Sequence, residues 1–203
     1  MPRVVDAAAR RAAVTDAAFA VIAEGGIAAA TLQRVADRAG LNIGSVRHYF
    51  SGHSELISFA MASMIDRVSG RLQEHLDGLA TAATPADRAA LTQAMLEELL
   101  PLDDRRRIEV AVWLEFSTAA RTRPQLAELA GRSAGGTRRL IRQILTAAQR
   151  HRGLVDDVDL AVETERLCSL IDGLGMNALL YPRLVTRTRL RATLQRHLRQ
   201  LTR

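Results

Sequence analysis

The stretch TLQRVADRAGLNIGSVRHYF, residues 31 to 50, divides at Gly40 into two short segments, each with helical periodicity. In the first, Leu32, Val35, Ala36 and Ala39 fall at i, i+3, i+4 and i+7, the apolar stripe of an amphipathic helix. Thr31 stands at the N-cap position, where a hydroxyl can accept from an amide the helix leaves unpaired. Gly40 closes the segment, because glycine takes the left-handed conformation without a steric penalty. Asn42 is the candidate cap of the second segment, whose inward face is Ile43, Val46 and Phe50. Two short helices joined by a tight, glycine-bearing turn form a helix-turn-helix pattern. With those three side chains turned in, Gly44, Ser45, Arg47 and His48 point outward and Tyr49 lies at the rim.

That outward set suits a DNA groove. Gly44 and Ser45 are small, so the start of the helix can approach a phosphate with its free N–H groups. Arg47 can take guanine bidentately at O6 and N7. His48 and Tyr49 can donate to phosphates or base edges, and His53, at the start of the next helix, is a further phosphate donor. Short helix pairs also occur as plain packing in α-proteins, so geometry alone leaves both readings open.

The same periodicity extends in both directions. Val14, Ala18, Val21 and Ile22 share one face of a helix that Gly25 and Gly26 end. From about Ser54 a long helix carries Ile57, Met61, Met64, Ile65, Val68, Leu72, Leu76 and Leu79 on one stripe. TAATPAD (81–87) breaks it, with Pro85 suited to a first helical position. Further helices are expected near 86–100, 104–121, 124–151, 158–180 and 186–201, with Gly135-Gly136 a candidate bend. The chain is expected to be all-α, with about nine helices.

The register of residues 17–56, AAFAVIAEGGIAAATLQRVADRAGLNIGSVRHYFSGHSEL, closely resembles the N-terminal domain of the tetracycline-repressor (TetR) family of bacterial regulators. The matching positions are Ala18 and Phe19, Glu24-Gly25-Gly26, the cap Thr31, Val35-Ala36 before Ala39-Gly40, the aromatic and basic cluster ending in Phe50, and Leu56. The resemblance implies a helix-turn-helix domain over residues 1–53 and a helical ligand-binding and dimerisation domain over 54–203. Its implied DNA-binding residues are Thr31, Asn42, Gly44, Ser45, Arg47, His48, Tyr49 and His53. The family commonly has an aromatic where Arg47 stands and a lysine where His53 stands. Arg47 therefore suggests altered operator preference, and His53 makes that contact sensitive to pH.

Composition bounds the alternatives. The 203 residues are 48% hydrophobic and 25% charged, enough for a real core in one domain or two small ones. Net charge is +6 with no lysine, yet the arginines and acids nearly balance through residue 56, and the excess lies chiefly after Pro182. DNA binding would then depend on where a few cations sit. Arg3, Arg10 and Arg11 are candidates for an N-terminal arm, with a solvated tail as the alternative. Cys168 is the lone cysteine and fits a reducing compartment. The N-terminus lacks the apolar core of a signal peptide and no apolar run approaches the ~20 residues of a membrane span, so a cytoplasmic location is expected. No HExxH, CxxC, GxSxG or phosphate-cradling loop with lysine is present, so neither catalysis, a metal site nor a cofactor is expected.

For the remaining three-quarters, Met61, Met64, Met95, Leu99, Glu109, Trp113 and Phe116 are candidate walls of an effector pocket, with ordinary core as the alternative. Glu109 and Trp113, one helical turn apart, would suit a cationic ligand. The family pairs its last two long helices across a twofold axis. Here that implies contacts by Leu167, Leu170, Ile171, Leu174 and Ala178, and by Leu190, Leu194 and Leu198. Such a homodimer demands a near-palindromic DNA operator. The function implied is a repressor released by a small-molecule effector that shifts the helix beginning near Ser54. The rival readings are a helical ligand-binding module without DNA function and a helical enzyme without a recognisable motif.

Overall fold

The computed structural model describes residues 7–151 and 153–202. Among them the chain forms α1 (Ala7–Gly25), a 3-10 turn (Ile27–Ala29), α2 (Leu32–Ala39), α3 (Ile43–Tyr49) and α4 (His53–Thr81). Then follow α5 (Pro85–Glu97), α6 (Asp104–Ala120), α7 (Pro124–Arg150), α8 (Leu160–Leu180) and α9 (Arg187–Leu201). The all-α expectation holds, and no described helix is long and apolar enough to cross a membrane. Arg3 and Arg203 lie outside the described residues.

Local chemistry sets the helix ends. Thr31 Oγ1 accepts from the Arg34 amide at 3.2 Å, and Asn42 Oδ1 accepts from the Gly44 amide at 2.7 Å. Gly40, at φ 65°, ends α2 in the left-handed conformation. Thr84 and Asp87 form a reciprocal capping box around Pro85 at the start of α5. Asp103, Asp159 and Thr186 cap α6, α8 and α9. The glycine pair in α7 does not interrupt it: the helix runs unbroken from Pro124 to Arg150. Its packing along α8 outweighs a glycine penalty of about 1 kcal/mol per residue.

Two apolar cores organise these helices. One gathers α1 (Val14, Phe19, Ile22), Ile27, Val35, Val46, Phe50 and the first turns of α4 (Leu56, Ile57, Met61). It does not stop at the helix-turn-helix, because Val112 and Phe116 of α6 and Leu126 of α7 complete it. The second joins Leu96 and Leu100, Ile141 and Leu145 of α7, Leu167, Cys168 and Ile171 of α8, and Leu190 and Leu194 of α9. Three helices, α4, α6 and α7, therefore hold this N-terminal head against the body formed by the rest of the chain.

Candidate DNA-reading face and effector cavity

In α3, Val46 is fully buried and Phe50, its C-cap, is 4% exposed, while Ile43 is half-buried against the same core. Arg47 and His48 are exposed on the opposite flank, as are Asn42 and Gly44; Ser45 is half-buried. The Tyr49 ring leans on the core, edge-on to His48 and with the Arg11 guanidinium 5.6 Å from its centroid. Arg10 and Arg11 accordingly belong to α1 and do not form a free arm. Thr31 Oγ1 and Asn42 Oδ1 are occupied as caps, so what each can offer a ligand is its donor, the hydroxyl proton or the amide NH2.

His53 opens α4, and its Nε2 lies 3.0 Å from the Ile27 carbonyl oxygen. With Nε2–H donating there, Nδ1 becomes a donor to an anion only when the ring is protonated. The Ile27 amide is held from the other side, donating to Glu115 Oε2 of α6 at 3.3 Å. Gly26 precedes it at φ 75°, and a Cβ there would lie 2.8 Å from that carboxylate oxygen. One peptide segment thus bridges the body and the start of α4. Thr31, Arg47 and His53 line one open hollow on the head, which Arg123 of the α6–α7 turn also lines.

A cavity of about 410 Å³ lies between α4, α6, α7 and α8. Of the residues expected to form a pocket, Met64, Leu99, Glu109 and Trp113 line it. Met61, Met95 and Phe116 do not: each is about 1% exposed or less and packed in solid core. Met61 and Phe116 lie where α4 and α6 turn toward the head, so their faces meet α1 instead of empty space. The residues missed are Ile65, Val68, Ser69, Leu72, Gln73 and Leu76 of α4, Glu98 just after α5, Val110 of α6, and a wall from α7 and α8. That wall includes Arg132, Ser133, Thr137, Arg139, Ile171, Asp172 and Gly175. Gly175 permits close approach, since a Cβ would meet Val110 at 3.2 Å.

Glu109 is not the free anion that a cationic ligand would need. Arg71 of α4 donates from Nη2 to Glu109 at 2.6 Å and from Nε to Glu98 at 2.7 Å, with Arg105 and Arg106 adding contacts. Burial pushes the Glu98 carboxyl up, but the bonds from Arg71 and Arg105 and the Arg106 charge outweigh it and hold it below the usual range. Asp172 is the lining carboxylate that no hydrogen bond or ion pair engages among the described residues. The residue as a whole is exposed, yet lost hydration around its carboxyl pushes that group above the ordinary aspartate value. The Arg138 charge pulls the other way, although that guanidinium is itself forked onto Glu165 at 2.8 and 3.0 Å. Burial likewise pushes the Cys168 thiol up, which keeps it an unreactive core residue. Among the described residues no cluster of three or more His, Cys, Asp or Glu is placed to hold a metal.

The expected partner-facing residues of α8 and α9 mostly face inward. Leu167, Ile171, Ala178, Leu190 and Leu194 are buried in their own subunit, Ile171 reaching the cavity, and Leu170, Leu174 and Leu198 pack half-buried against the same core. The large apolar side chains α8 leaves in solvent are Val162, Met176 and Leu180, 52%, 38% and 54% exposed, and Tyr181 and Leu184 just beyond its end are exposed as well. The arginines after Pro182 are partly paired, Arg187 with Asp104 and Arg191 with the buried Glu97.

A head whose third helix is half core and half cationic surface, joined to a body that encloses a cavity, is the architecture of a ligand-responsive DNA-binding regulator. Residues 14–58 match the family model of bacterial regulatory proteins of the tetR family, and residues 88–203 match that of the BetI-type transcriptional repressor C-terminal region. The chain belongs to the TetR family of transcriptional regulators, with a BetI-type C-terminal region. It is 29% identical over 201 residues to the HTH-type transcriptional regulator PksA of Bacillus subtilis (strain 168), covering 99% of this chain and 94% of that protein. A transcriptional regulator from Rhodococcus sp. Rha1 shares its fold with a TM-score of 0.78 and 28% identity, over 94% of this chain and 95% of that one. A regulator from Saccharomonospora viridis, solved with choline, superposes with a TM-score of 0.84 at 21% identity, over 97% and 99% of the two chains.

Proposed function

We propose that the chain is a cytoplasmic homodimeric repressor that reads a near-palindromic operator with α3 and releases it when a small molecule enters the cavity. The observation that carries this reading is the division of α3: Val46 and Phe50 fix it in the core, and Arg47 and His48 stand free on the other flank. Gly44 and Ser45 keep the start of the helix slim enough to enter a major groove. Arg47 is the base reader, and Thr31, Asn42, Tyr49 and His53 are backbone contacts. The names of the relatives are those of regulators, which supports a binding protein over a catalyst.

The exposed run Val162, Met176, Leu180 on α8, with Ser169 and Gly173 as small neighbours, is the surface a second copy would cover. The reading requires a twofold pair built there to present two α3 helices to one face of a duplex. For the effector, an apolar body with a cationic group against Asp172 fits the lining, which also holds Arg132 and Arg139 for a polar or anionic end of the same molecule. Met64, Val68, Leu72 and Trp113 supply apolar wall, and Asp172 supplies the unengaged anion. The choline held by the Saccharomonospora regulator supports that class. The ligand acts by binding the two head positions with different affinity.

Protection mapping on the DNA flanking the coding region tests the operator, and Arg47→Ala tests the reader. If Arg47 grips a base bidentately, that substitution should weaken operator binding by about 1–3 kcal/mol and relax preference at one base pair. Equal weakening on random duplex would make Arg47 a phosphate contact. A protein that protects no DNA at all would end the reading.

A further inference from the structure

We infer that Arg123, a residue of the effector body, grips a backbone phosphate of the bound duplex beside α3. The inference rests on α3 being the DNA-reading helix. Arg123 lies in the turn between α6 and α7, outside the helix-turn-helix, yet it lines the same surface hollow as Thr31, Arg47 and His53. Its backbone is fixed: its amide donates to the Ala119 carbonyl at 3.1 Å, and its carbonyl accepts from the Leu126 amide at 2.9 Å. Pro124, next in the chain, bars Arg123 from helical geometry and holds it extended at φ −123°, ψ 99°. The side chain therefore projects from a set position.

Among the described residues no hydrogen bond or ion pair reaches the Arg123 guanidinium, and the hollow it shares with Arg47 and His53 has no carboxylate in its lining. Of the two acids in the adjoining groove, which Arg123 also lines, Glu24 is forked onto Arg38 at 2.5 and 3.0 Å and Glu115 accepts the Ile27 amide at 3.3 Å; among the described residues neither forms an ion pair with Arg123. Arg47, His53 and Arg123, from three separate elements, thus border one hollow whose lining holds no carboxylate. That is chemistry for an anion, and on the DNA-reading face the anion is a backbone phosphate. Such a grip comes from the body and not from the head, so it holds only while α6 and α7 keep their place behind α3.

The test is salt-dependent binding of operator and random duplex by the full chain. Arg123→Gln is expected to weaken both equally and to lower the slope of log affinity against log salt by about 0.9 for each subunit bound. The wild-type to variant affinity ratio then shrinks about 3.5-fold per subunit between 50 and 200 mM salt, which is the fourfold salt change raised to that slope. Arg123→Lys should keep the slope. Arg121→Gln, two residues away on the adjoining groove and not in the hollow, should leave it unchanged. An unaltered slope in folded Arg123→Gln, or a loss confined to operator sequence, overturns the inference while leaving the DNA-reading assignment intact. A wild-type protein that binds neither duplex overturns both.

Discussion

Replacing Gly26 by alanine probes the joint between head and body, and its magnitude can be worked out from the geometry. Gly26 sits at φ 75°, ψ 174°, a region open essentially to glycine alone, and holding another residue there costs about 1–3 kcal/mol. The new methyl would also lie 2.8 Å from Glu115 Oε2, so the carboxylate must withdraw and give up the Ile27 amide. Losing that hydrogen bond costs about a further 0.5–1.5 kcal/mol. A stiffer unfolded chain returns about 0.4–1 kcal/mol. The net expectation is a loss of about 0.5–4 kcal/mol. Gly70→Ala is the comparator. Gly70 is exposed in the middle of α4 with open space at its Cβ, so the same substitution should stabilise by about 1 kcal/mol. Urea denaturation at one protomer concentration measures both. A double cycle with Glu115→Ala separates clash from backbone strain, because removing the carboxylate should cost less in the Gly26→Ala background. If Gly26→Ala and Gly70→Ala shift stability alike, the account of this joint is wrong.

Asp172→Asn should abolish most affinity for a cationic amphiphile, and in the wild type that affinity should fall on mild acidification, read by titration calorimetry over pH. A flat wild-type profile would remove Asp172 from the site. The same carboxyl, raised in the fold, leaves the native state holding its proton at higher pH than the unfolded chain does. Its charge therefore lowers stability at neutral pH, and Asp172→Asn should gain stability there, the gain vanishing below the ordinary aspartate range. Leu180→Asp, at a 54% exposed position, should leave the helical circular dichroism signal intact while shifting sedimentation toward monomer and weakening operator binding. An unchanged sedimenting species would place the dimer surface elsewhere.

What the sequence made legible was local. Thr31 and Asn42 announce their caps because each side chain bonds within three residues of itself, Gly40 because its left-handed backbone closes α2, and the 3.6-residue period separates Val46 and Phe50 from Arg47 and His48. Periodicity says that a face is buried, not against what. Met61 and Met64 sit on one stripe of α4, yet the first meets the head core and the second also borders the cavity. On α8 two apolar stripes coexist. Leu167 and Ile171, on the more apolar one, serve their own subunit, while Val162, Met176 and Leu180 on the sparser one remain outside. Pairings distant in sequence left no trace at all. Arg71 reaches Glu98 and Glu109 across 27 and 38 residues, and no local pattern marks it as the residue that neutralises Glu109.

Two of the helices that wall the cavity, α4 and α6, are also among the three that brace the head, which constrains how a ligand can act. On α4, Val68 and Leu72 face the cavity while Leu56 and Ile57 lie in the head core. On α6, Val110 and Trp113 face the cavity while Phe116 lies in that core and Glu115 holds the Ile27 amide. Arg71 ties α4 to α6 through its 2.6 Å bond to Glu109. A molecule that wedges α4 from α6 must strain this tie, and close-packed helices respond by tilting as units and not by local yielding. The tilt reaches His53 and Ile27 together, because one is the first residue of α4 and the other is bonded to both helices. A ligand that fits within 410 Å³ without changing the α4–α6 separation has equal affinity for both head positions, and however tightly it binds it should leave operator affinity untouched. Induction should therefore follow the girth of a ligand series and not its affinity; a strict rank correlation with affinity across ligands of equal charge would refute the wedge.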